Sequence, residues 1–244
     1  MASGQIVILL LGALAGGIVN GLTGFGTALT ALGIWVYALP PAAAATLAIL
    51  CSVVSQLQTL PMIWRTIAWK DVVIFAVPGM LGVPFGILLL PHIDPRSFKL
   101  VIGCFLVAYP AYTLARRQQI ECAWGGSTAD GIVGFGGGVM GGLTGLSGVL
   151  PVVWTDIRGW TKTHRRGVLQ TFNMVILGFA SISHVASGLV TRQVALAVAI
   201  SLPATIAGAL TGGAIYRRLA DRGYERVVML LLLASGLALL WNSW

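Results

Sequence analysis

Two glycine-rich clusters contain the residues of this sequence that are best suited to binding a solute. The first reads Gly-Leu-Thr-Gly-Phe-Gly over residues 21–26, and the second reads Gly-Leu-Thr-Gly-Leu-Ser-Gly over residues 142–148. If each cluster breaks a helix, the N–H groups of the following turn have no intrahelical acceptor and carry the positive end of the helix dipole. An anion is the ligand that such donors favour. We therefore expect the backbone near residues 26–28 and 148–150 to contribute to an anion site.

Hydroxyl and amide side chains in and around the clusters extend this candidate site. Hydroxyl groups donate hydrogen bonds without the cost of burying a fixed charge, and amides inside apolar segments must find polar partners. Gln170 and Asn173 are three residues apart and share a helix face. The residues predicted to bind substrate are Asn20, Thr23, Gly24, Phe25, Gly26, Thr27, Gln56, Thr144, Gly145, Leu146, Ser147, Gly148, Gln170 and Asn173. Close helix packing in membranes also selects small and hydroxyl-bearing residues, and amides can join neighbouring helices, so packing is the competing interpretation.

Four further residues are candidates for gating or for a proton path. Asp130 opens the second interrupted segment, and Asp156 and Arg158 follow the second cluster, where we expect ion-pairing or gating groups at the cytoplasmic edge. His184 could relay protons because an imidazole changes charge near neutral pH, and a merely hydrogen-bonded histidine is the alternative. The sequence places no lysine or arginine deep in the membrane. Charge compensation for an anion is therefore expected from N–H groups and hydroxyls.

Enzymatic, metal-binding and nucleic-acid-binding functions find no support in the sequence. There is no nucleophile with a neighbouring base and no HExxH motif, and Cys51, Cys104 and Cys122 form no CxxC pair. The glycine run at residues 134–138 is not a dinucleotide fingerprint, because no βαβ pattern surrounds it. The 15 lysines and arginines, which help give a net charge of +8, lie in short loops rather than on one basic face. We expect no enzyme activity, no cofactor, no metal site and no nucleic-acid partner.

The composition is that of an integral membrane protein. Of the 244 residues, 57% are hydrophobic and only 9% are charged, and the mean hydropathy is +0.90. A soluble domain has about 25% charged residues, and about 20 apolar residues cross a bilayer core. The predicted spans are residues 43–63, 72–91, 97–115, 168–188, 193–215 and 226–243. The predicted fold class is all-α integral membrane, with about eight hydrophobic segments.

Segments 5–39 and 127–157 differ from these spans, because each is too long for one crossing and is interrupted at its glycine cluster. Residues 5–20 would form a helix about 24 Å long at 1.5 Å per residue, which is short of a full crossing. We therefore predict that each segment is a re-entrant hairpin of two half-helices. A single kinked span is the alternative.

The clusters also mark an internal repeat. The Gly-Leu-Thr-Gly motif recurs 121 residues apart, and Gly82 and Gly86 match Gly208 and Gly212 at a separation of 126. The assigned units are a first repeat at 1–115, a cytoplasmic linker at 116–126 and a second repeat at 127–244. With one hairpin and three spans in each repeat, the second repeat is inverted relative to the first.

The hairpin model also predicts the orientation. It places 12 of the 15 lysines and arginines on one side and only Arg96, Lys99 and Arg192 on the other, whereas two single crossings would divide them ten against five. Cytoplasmic loops carry the excess of positive charge, so the sharper division favours the hairpins. Both termini are then expected on the periplasmic side.

The motifs of the second repeat are the most specific. They are Leu-Ser-Gly-Val-Leu-Pro at 146–151, Arg-Gly-Trp at 158–160, Arg-Arg at 165–166 and Gln-Thr-Phe-Asn at 170–173, with Val-Pro-Phe-Gly at 83–86 and His-Ile-Asp-Pro at 92–95 in the first repeat. Together with the two clusters, these motifs resemble the sulfite exporter TauE/SafE family, also called 4-toluene sulfonate uptake permeases. The resemblance covers nearly the whole chain. It implies a bacterial inner-membrane transporter of sulfite or organosulfonates, coupled to the proton gradient.

The leading hypothesis is transport of a small sulfur-containing anion by alternating access, in which rocking of the two repeats exposes one site to either side. The alternatives are a channel for small anions or neutral solutes, and a membrane scaffold without transport activity. The expected partners are the anion, the lipid bilayer and protons as the coupling ion. The sequence is also compatible with a homodimer.

Overall fold

The computed structural model describes residues 3–89, 125–219 and 221–241, together with separate positions between residues 96 and 111. This part of the chain is helical and contains no β-strand. Its α-helices are α1 (Ser3–Thr23), α2 (Thr27–Trp35), α3 (Pro41–Thr59), α4 (Trp69–Leu89), α5 (Gly126–Thr144), α6 (Val149–Ile157), α7 (Lys162–Ala186), α8 (Arg192–Arg218) and α9 (Asp221–Trp241). The short 3-10 helices Leu60–Met62 and Trp64–Thr66 follow α3. Most of the predicted span 97–115 and the predicted linker up to residue 124 lie outside the described residues.

Five of these helical segments are long and apolar enough to cross a membrane, as expected of a multi-pass membrane protein. They are Ser3–Thr23, Pro41–Met62, Trp69–Leu89, Lys162–Ala186 and Arg192–Arg218. Four apolar side chains of α4, spaced four residues apart, are each more than half exposed: Val73, Val77, Leu81 and Phe85. Such a face is stable against lipid, because lipid tails are as apolar as the side chains.

Each glycine cluster ends one helix and lets the next fold back along it. Helix α1 ends at Thr23, and α2 runs antiparallel to it, so that the indole N–H of Trp35 donates to the carbonyl of Leu9 at 3.0 Å. Helix α6 returns along α5 in the same way, and the indole of Trp154 donates to Asp130 at 2.6 Å. The chain therefore turns back on itself at both clusters.

The first helix of each interrupted segment is longer than the sequence predicts. Helix α1 has 21 residues and α5 has 19, which corresponds to about 32 Å and 28 Å at 1.5 Å per residue. The expectation of a short first half-helix is wrong, because the helix continues through the first residues of the cluster. It ends only where Gly24 leaves the helical conformation.

Helix α7 begins well before the predicted start of its span at residue 168. Thr161 caps the helix, since its side-chain oxygen accepts a hydrogen bond from the N–H of His164 at 3.4 Å. The early start makes Arg165 and Arg166 buried residues of a membrane helix. The division of lysines and arginines between the two sides of the membrane counts Arg165 and Arg166 as loop residues. It is wrong for these two positions.

Two parallel helix pairs are packed almost backbone to backbone. Helix α1 lies along α8, and a Cβ atom at Gly212 would fall 2.0 Å from the carbonyl oxygen of Ile18. Helix α4 lies along α5, and a Cβ atom at Gly138 would fall 1.9 Å from the carbonyl oxygen of Gly79. Small residues at intervals of four allow membrane helices to approach this closely. The glycine run at residues 134–138 therefore lies in a helix-packing surface.

Helices α3 and α7 are antiparallel and lie between these pairs. Thr46 of α3 contacts His184 near one end of α7, and Thr59 contacts Gln170 toward the other. Helix α3 packs against α1, α2 and α8, and α7 packs against α4 and α5. Both helices therefore bring polar side chains into the interior of the bundle, where the two breaks lie.

Candidate functional site

The two breaks meet inside the helical bundle. Phe25 lies directly over Gly148, where an added Cβ atom would come within 3.0 Å of its side chain. An added Cβ atom at Gly145 would be 3.1 Å from the side chain of Ile49 and 3.4 Å from the Cβ of Ala28. Ile49 is near the middle of α3. The glycine clusters are thus in direct contact, level with the middle of this central helix.

The first break is shaped by Gly24. Its φ angle of +82° is a conformation that a side chain would strain, and its N–H donates to the carbonyl of Asn20 at 2.7 Å. The hydroxyl of Thr23 bonds to the backbone of Phe25 across the break. Gln170 fills the space beside Gly24, since its Oε1 would be 3.0 Å from an added Cβ atom. Helix α7 therefore borders the first break through an amide side chain.

Thr27 begins α2 immediately after this break. Its hydroxyl is fully buried and has no hydrogen-bond partner among the described residues, and Gly26 provides no side-chain cap for the helix. A buried polar group without a partner is costly, so such a group is suited to binding a solute or water. The start of α2 therefore offers a buried hydroxyl whose hydrogen-bonding capacity is unused among the described residues.

The second break is shaped by Gly145, whose φ angle is +78°. Ser147 donates from its hydroxyl to Oδ1 of Asn173 in α7. Thr144 instead donates back to the carbonyl of Met140, at 3.2 Å, within its own helix. Of the two hydroxyls predicted here, only that of Ser147 therefore reaches across to another helix in this conformation.

Two amide side chains on one face of α7 contact the two breaks. Gln170 borders the first break and donates to the hydroxyl of Thr59 at 2.8 Å, whereas Asn173 binds the second break through Ser147. The structure therefore places both amides at the predicted site. Their hydrogen bonds join helices, as the packing interpretation expects, and contact of these amides with a solute stays a prediction.

Two further buried amides lie on neighbouring helices. Asn20 of α1 donates to the hydroxyl of Ser55 in α3 at 2.5 Å. Gln56 is fully buried, and neither atom of its amide finds a hydrogen-bond partner in the described part of the chain. Gln56 is therefore a second polar side chain, besides Thr27, with unused capacity for a ligand.

A buried arginine lies at the first break. Arg166 is fully buried and donates from Nη1 to the carbonyl of Leu22 at 2.6 Å and from Nη2 to that of Gly21 at 2.7 Å. Its Nε donates to Oε1 of Gln170 at 3.3 Å, and its guanidinium lies 3.6 Å from the centre of the Tyr216 ring. The expectation that no lysine or arginine lies deep in the membrane part of the chain is therefore wrong, whereas compensation of an anion's charge stays a prediction.

The sequence contains a signal that could have identified this arginine. Arg166 precedes Gln170 by four residues, so a helix that begins at the capping residue Thr161 places both on one face. The span assignment misses it because a hydropathy window starts a span after its last charged residue. A helix start is instead set by its capping residue.

The charged candidates of the second repeat form two ion pairs. Asp130 lies 3.7 Å from Arg158, whereas Asp156 pairs with Arg165 at 3.0 Å, with both side chains almost completely buried. These contacts join α5, α6 and α7 at the ends opposite the second break. Asp130, Asp156 and Arg158 therefore form ion pairs as expected, whereas gating by these residues stays a prediction.

His184 lies at the second break. Its Nε2 is 3.1 Å from the carbonyl oxygen of Gly142, and its Nδ1 is 3.1 Å from the hydroxyl of Thr46. Because a carbonyl only accepts, Nε2 carries a proton. Among the described residues, no group of three His, Cys, Asp or Glu side chains could hold a metal ion.

A family model described as Sulfite exporter TauE/SafE matches residues 8–239. The match includes both glycine clusters, Arg166, His184 and the amides of α7. No curated protein and no solved structure gives a match.

Proposed function

The chain belongs to the sulfite exporter TauE/SafE family, and we propose that it is a secondary transporter of sulfite or organosulfonates in a bacterial inner membrane. The family is described as one of exporters of a sulfur anion, and the apolar helices place the chain in a membrane. The observation that carries the proposal is the meeting of two broken helices in the bundle interior. Irregular backbone at that depth is tolerated in membrane proteins only where it is buried in protein or lines a cavity.

The electrostatics of this site favour an anion. The starts of α2 and α6 direct N–H groups at the breaks, and the buried guanidinium of Arg166 adds a full positive charge. Thr27 and Gln56 offer polar groups that no described residue binds. The one guanidinium at the first break suits hydrogen sulfite or a sulfonate better than a dianion, whose second charge this residue would not compensate.

We propose that the two repeats are inverted relative to each other, each with a re-entrant hairpin and three spans. In support, α3 and α7 occupy equivalent places in the repeats and are antiparallel. In each repeat, the first helix pairs with a helix of the other repeat: α1 of the first repeat with α8 of the second, and α5 of the second repeat with α4 of the first. With the two buried arginines left out, the positive loop charges still divide ten against three, which supports periplasmic termini.

The described conformation has the space between the breaks filled. The Phe25 side chain lies over Gly148 and is only 2% exposed, so this ring fills the contact between the two breaks. We propose that alternating access includes displacement of this ring. An open channel would need a permanently free path at this position.

We propose protons as the coupling ion, with His184 as the group that binds them. The hydroxyl of Thr46 can donate to Nδ1 of a neutral ring, or accept from Nδ1 of a charged ring while it donates to the carbonyl of Ala42 at 2.9 Å. The ring can therefore exchange a proton without displacement of its neighbours. Asp130 and Asp156 are instead engaged with Arg158 and Arg165.

The test is transport of ³⁵S-sulfite and of benzenesulfonate by the purified protein in liposomes with an imposed pH gradient. We expect saturable transport that the gradient drives uphill. Gly24→Leu and Gly145→Leu should abolish it, because a side chain would fill each break and strain its backbone. Gly178→Leu is the matched control, since nothing lies within 4 Å of a Cβ atom there.

Three outcomes would contradict the proposal in different ways. Full transport by both Gly24→Leu and Gly145→Leu would remove the site from the breaks. Fast flux that neither saturates nor runs uphill would make the protein a channel. Absence of any flux with correctly inserted protein would leave the scaffold interpretation.

A further inference from the structure

A break in a membrane helix exposes a negative end as well as a positive one. Helix α1 ends at Thr23 and α2 begins at Thr27, so the carbonyl end of one helix lies close to the N–H end of the next. Each end carries the equivalent of about half an elementary charge, of opposite sign. A bare break therefore has little preference between anions and cations. The carbonyl end must be covered before the N–H end can determine which ion binds.

Helix α7 brings one buried basic side chain to each of the two carbonyl ends. Arg166 binds the carbonyls of Gly21 and Leu22 at the end of α1, and His184 binds that of Gly142 at the end of α5. Gly21 and Gly142 are the same position of the repeated Gly-Leu-Thr-Gly motif. Equivalent carbonyls of the two breaks thus have basic partners from one helix.

The two basic residues are not themselves equivalent in the repeat. Both are 0% exposed, and they are 18 residues apart on α7, which is about 27 Å along the axis at 1.5 Å per residue. The matching between Thr46 and Thr171 aligns Arg166 with Pro41 and His184 with Thr59, neither of which is basic. Among the described residues, the basic partners of these carbonyls in both breaks therefore come from helix α7.

We propose that Arg166 and His184 determine the preference of the site for anions by covering the negative ends of α1 and α5. The inference rests on the proposed function, because it concerns the same site. Arg166 adds a permanent charge, since a guanidinium does not lose its proton in proteins. His184 covers its carbonyl with the Nε2–H donor, which is present in the neutral ring as well. Both are positioning residues that act on the solute through the helix ends.

An independent observation points to a ligand at the positive end that is left uncovered. The hydroxyl of Thr27, in the first turn of α2, is completely buried and unpartnered within the described residues. An anion bound at the start of α2 could accept a hydrogen bond from a hydroxyl in this turn. Along the chain, the covered carbonyls precede the break and the unused hydroxyl follows it.

The test compares two probes of similar shape and different charge, methanesulfonate and neutral methanesulfonamide, with sulfite as a third probe. Their affinities for the purified full-length protein are measured by calorimetric titration. In Arg166→Gln the ratio of the methanesulfonate affinity to the methanesulfonamide affinity should fall by about tenfold or more, and in Arg166→Lys by less than about threefold. Arg65→Gln is the matched control for loss of charge at an exposed position and should leave the ratio unchanged.

Variants of His184 at the second break test the same affinity ratio, and this test does not depend on whether the Arg166 variants fold. His184→Gln keeps a donor for the carbonyl of Gly142 and should retain the ratio, whereas His184→Leu removes the donor and should lower it. A merely structural role would weaken binding of both probes equally or lower only the melting temperature.

An unchanged ratio in Arg166→Gln, or in His184→Leu if the arginine variant does not fold, would overturn the inference and leave the transport proposal standing. Absence of binding of both sulfite and methanesulfonate to the unaltered protein would overturn the proposed function, and this inference with it.

Discussion

Asn173 and Ser147 join the second break to α7 through one buried hydrogen bond. Asn173 is 2% exposed and Ser147 is fully buried, so water is not at hand to replace either partner. This bond fixes the chain directly before α6, whose first N–H groups belong to the candidate anion site. We therefore expect Asn173 to influence binding by holding the second break in place.

Replacing Asn173 with leucine should destabilise the protein and weaken sulfonate binding. The Ser147 hydroxyl would lose its acceptor, which costs about 1–3 kcal/mol for a buried group. Thermal unfolding in detergent and titration with methanesulfonate measure the two effects. The double variant Asn173→Leu with Ser147→Ala is the control, because removal of both partners should restore much of the stability without restoring affinity. Unchanged affinity in Asn173→Leu would return this residue to helix packing.

Replacing Phe25 with alanine should uncouple transport. The ring fills the space over Gly148, so its removal should open a path between the breaks and let sulfite leak down its gradient in liposomes. Phe85→Ala is the control, because Phe85 lies on the exposed apolar face of α4. Tightly coupled transport by Phe25→Ala would show that the ring is not part of the barrier.

At this scale the sequence identifies polar residues well and buried charges poorly. Gln170 and Asn173 could be assigned to one helix face because spacing alone determines that face. Arg166 could not be placed in the interior from hydropathy, because an arginine next to a span has the same composition signal whether it faces water or a carbonyl. Its burial depends on partners from α1, distant in the sequence.

Helix pairs, rather than single helices, are the units that position the site. Glycines at equivalent positions in the two repeats remove the side chains between α1 and α8 and between α4 and α5. Backbones in such close contact tolerate no added atom without a shift. The breaks therefore begin at the ends of two rigidly paired helices, α1 and α5.

Gly138→Ala should destabilise the protein, whereas Gly131→Ala on the same helix should not. A Cβ atom at Gly138 would lie 1.9 Å from a backbone carbonyl oxygen of α4, while at Gly131 the nearest atom, in Pro78, is at 3.5 Å. We expect a loss of about 1–3 kcal/mol for the first and a gain of about 0.5–1 kcal/mol for the second, because alanine favours the helix. Unfolding midpoints in detergent measure both, and equal midpoints would contradict the close-packing argument.

The sequence locates the helix breaks but not the helix lengths. Each break lies at its repeated glycine cluster, because a residue with positive φ ends a helix and glycine adopts it readily. The helices run further into the clusters than expected, since glycine in a membrane helix is tolerated where a neighbouring helix packs against it. That neighbour, α8 for α1, is known only from the tertiary structure.

For the whole molecule, the sequence predicts the membrane class, which the five apolar helices confirm, whereas the repeat units and the orientation inferred from the division of charge stay predictions. The predicted inverted arrangement of the repeats would also bring the two breaks together, and the structure shows them in contact, but the sequence does not name the residues that meet there. That contact depends on how α3 and α7 separate the two paired helices, and no local pattern encodes this arrangement. The family match covers residues 8–239 and so includes both glycine clusters.

The proposed orientation predicts that both termini face the periplasm. Single cysteines added at each terminus, in a chain with Cys51, Cys104 and Cys122 replaced by alanine, should react with a membrane-impermeant maleimide in intact cells. Arg65→Cys is the control at a predicted cytoplasmic loop and should react only after permeabilisation. The same late reaction of the N-terminal cysteine would contradict the proposed orientation, since the first interrupted segment would then have to cross the membrane.

The exchange of helices between the repeats has a mechanical consequence. The first helix of each repeat is fastened along its length to a helix of the other, with backbone touching backbone, so the repeats cannot swing apart as separate blocks. In the proposed transport cycle, one mixed block, α1 with α8, would instead move against the other, α4 with α5, along a seam that contains α3 and α7. The boundary between the moving parts would then differ from the boundary between the sequence repeats.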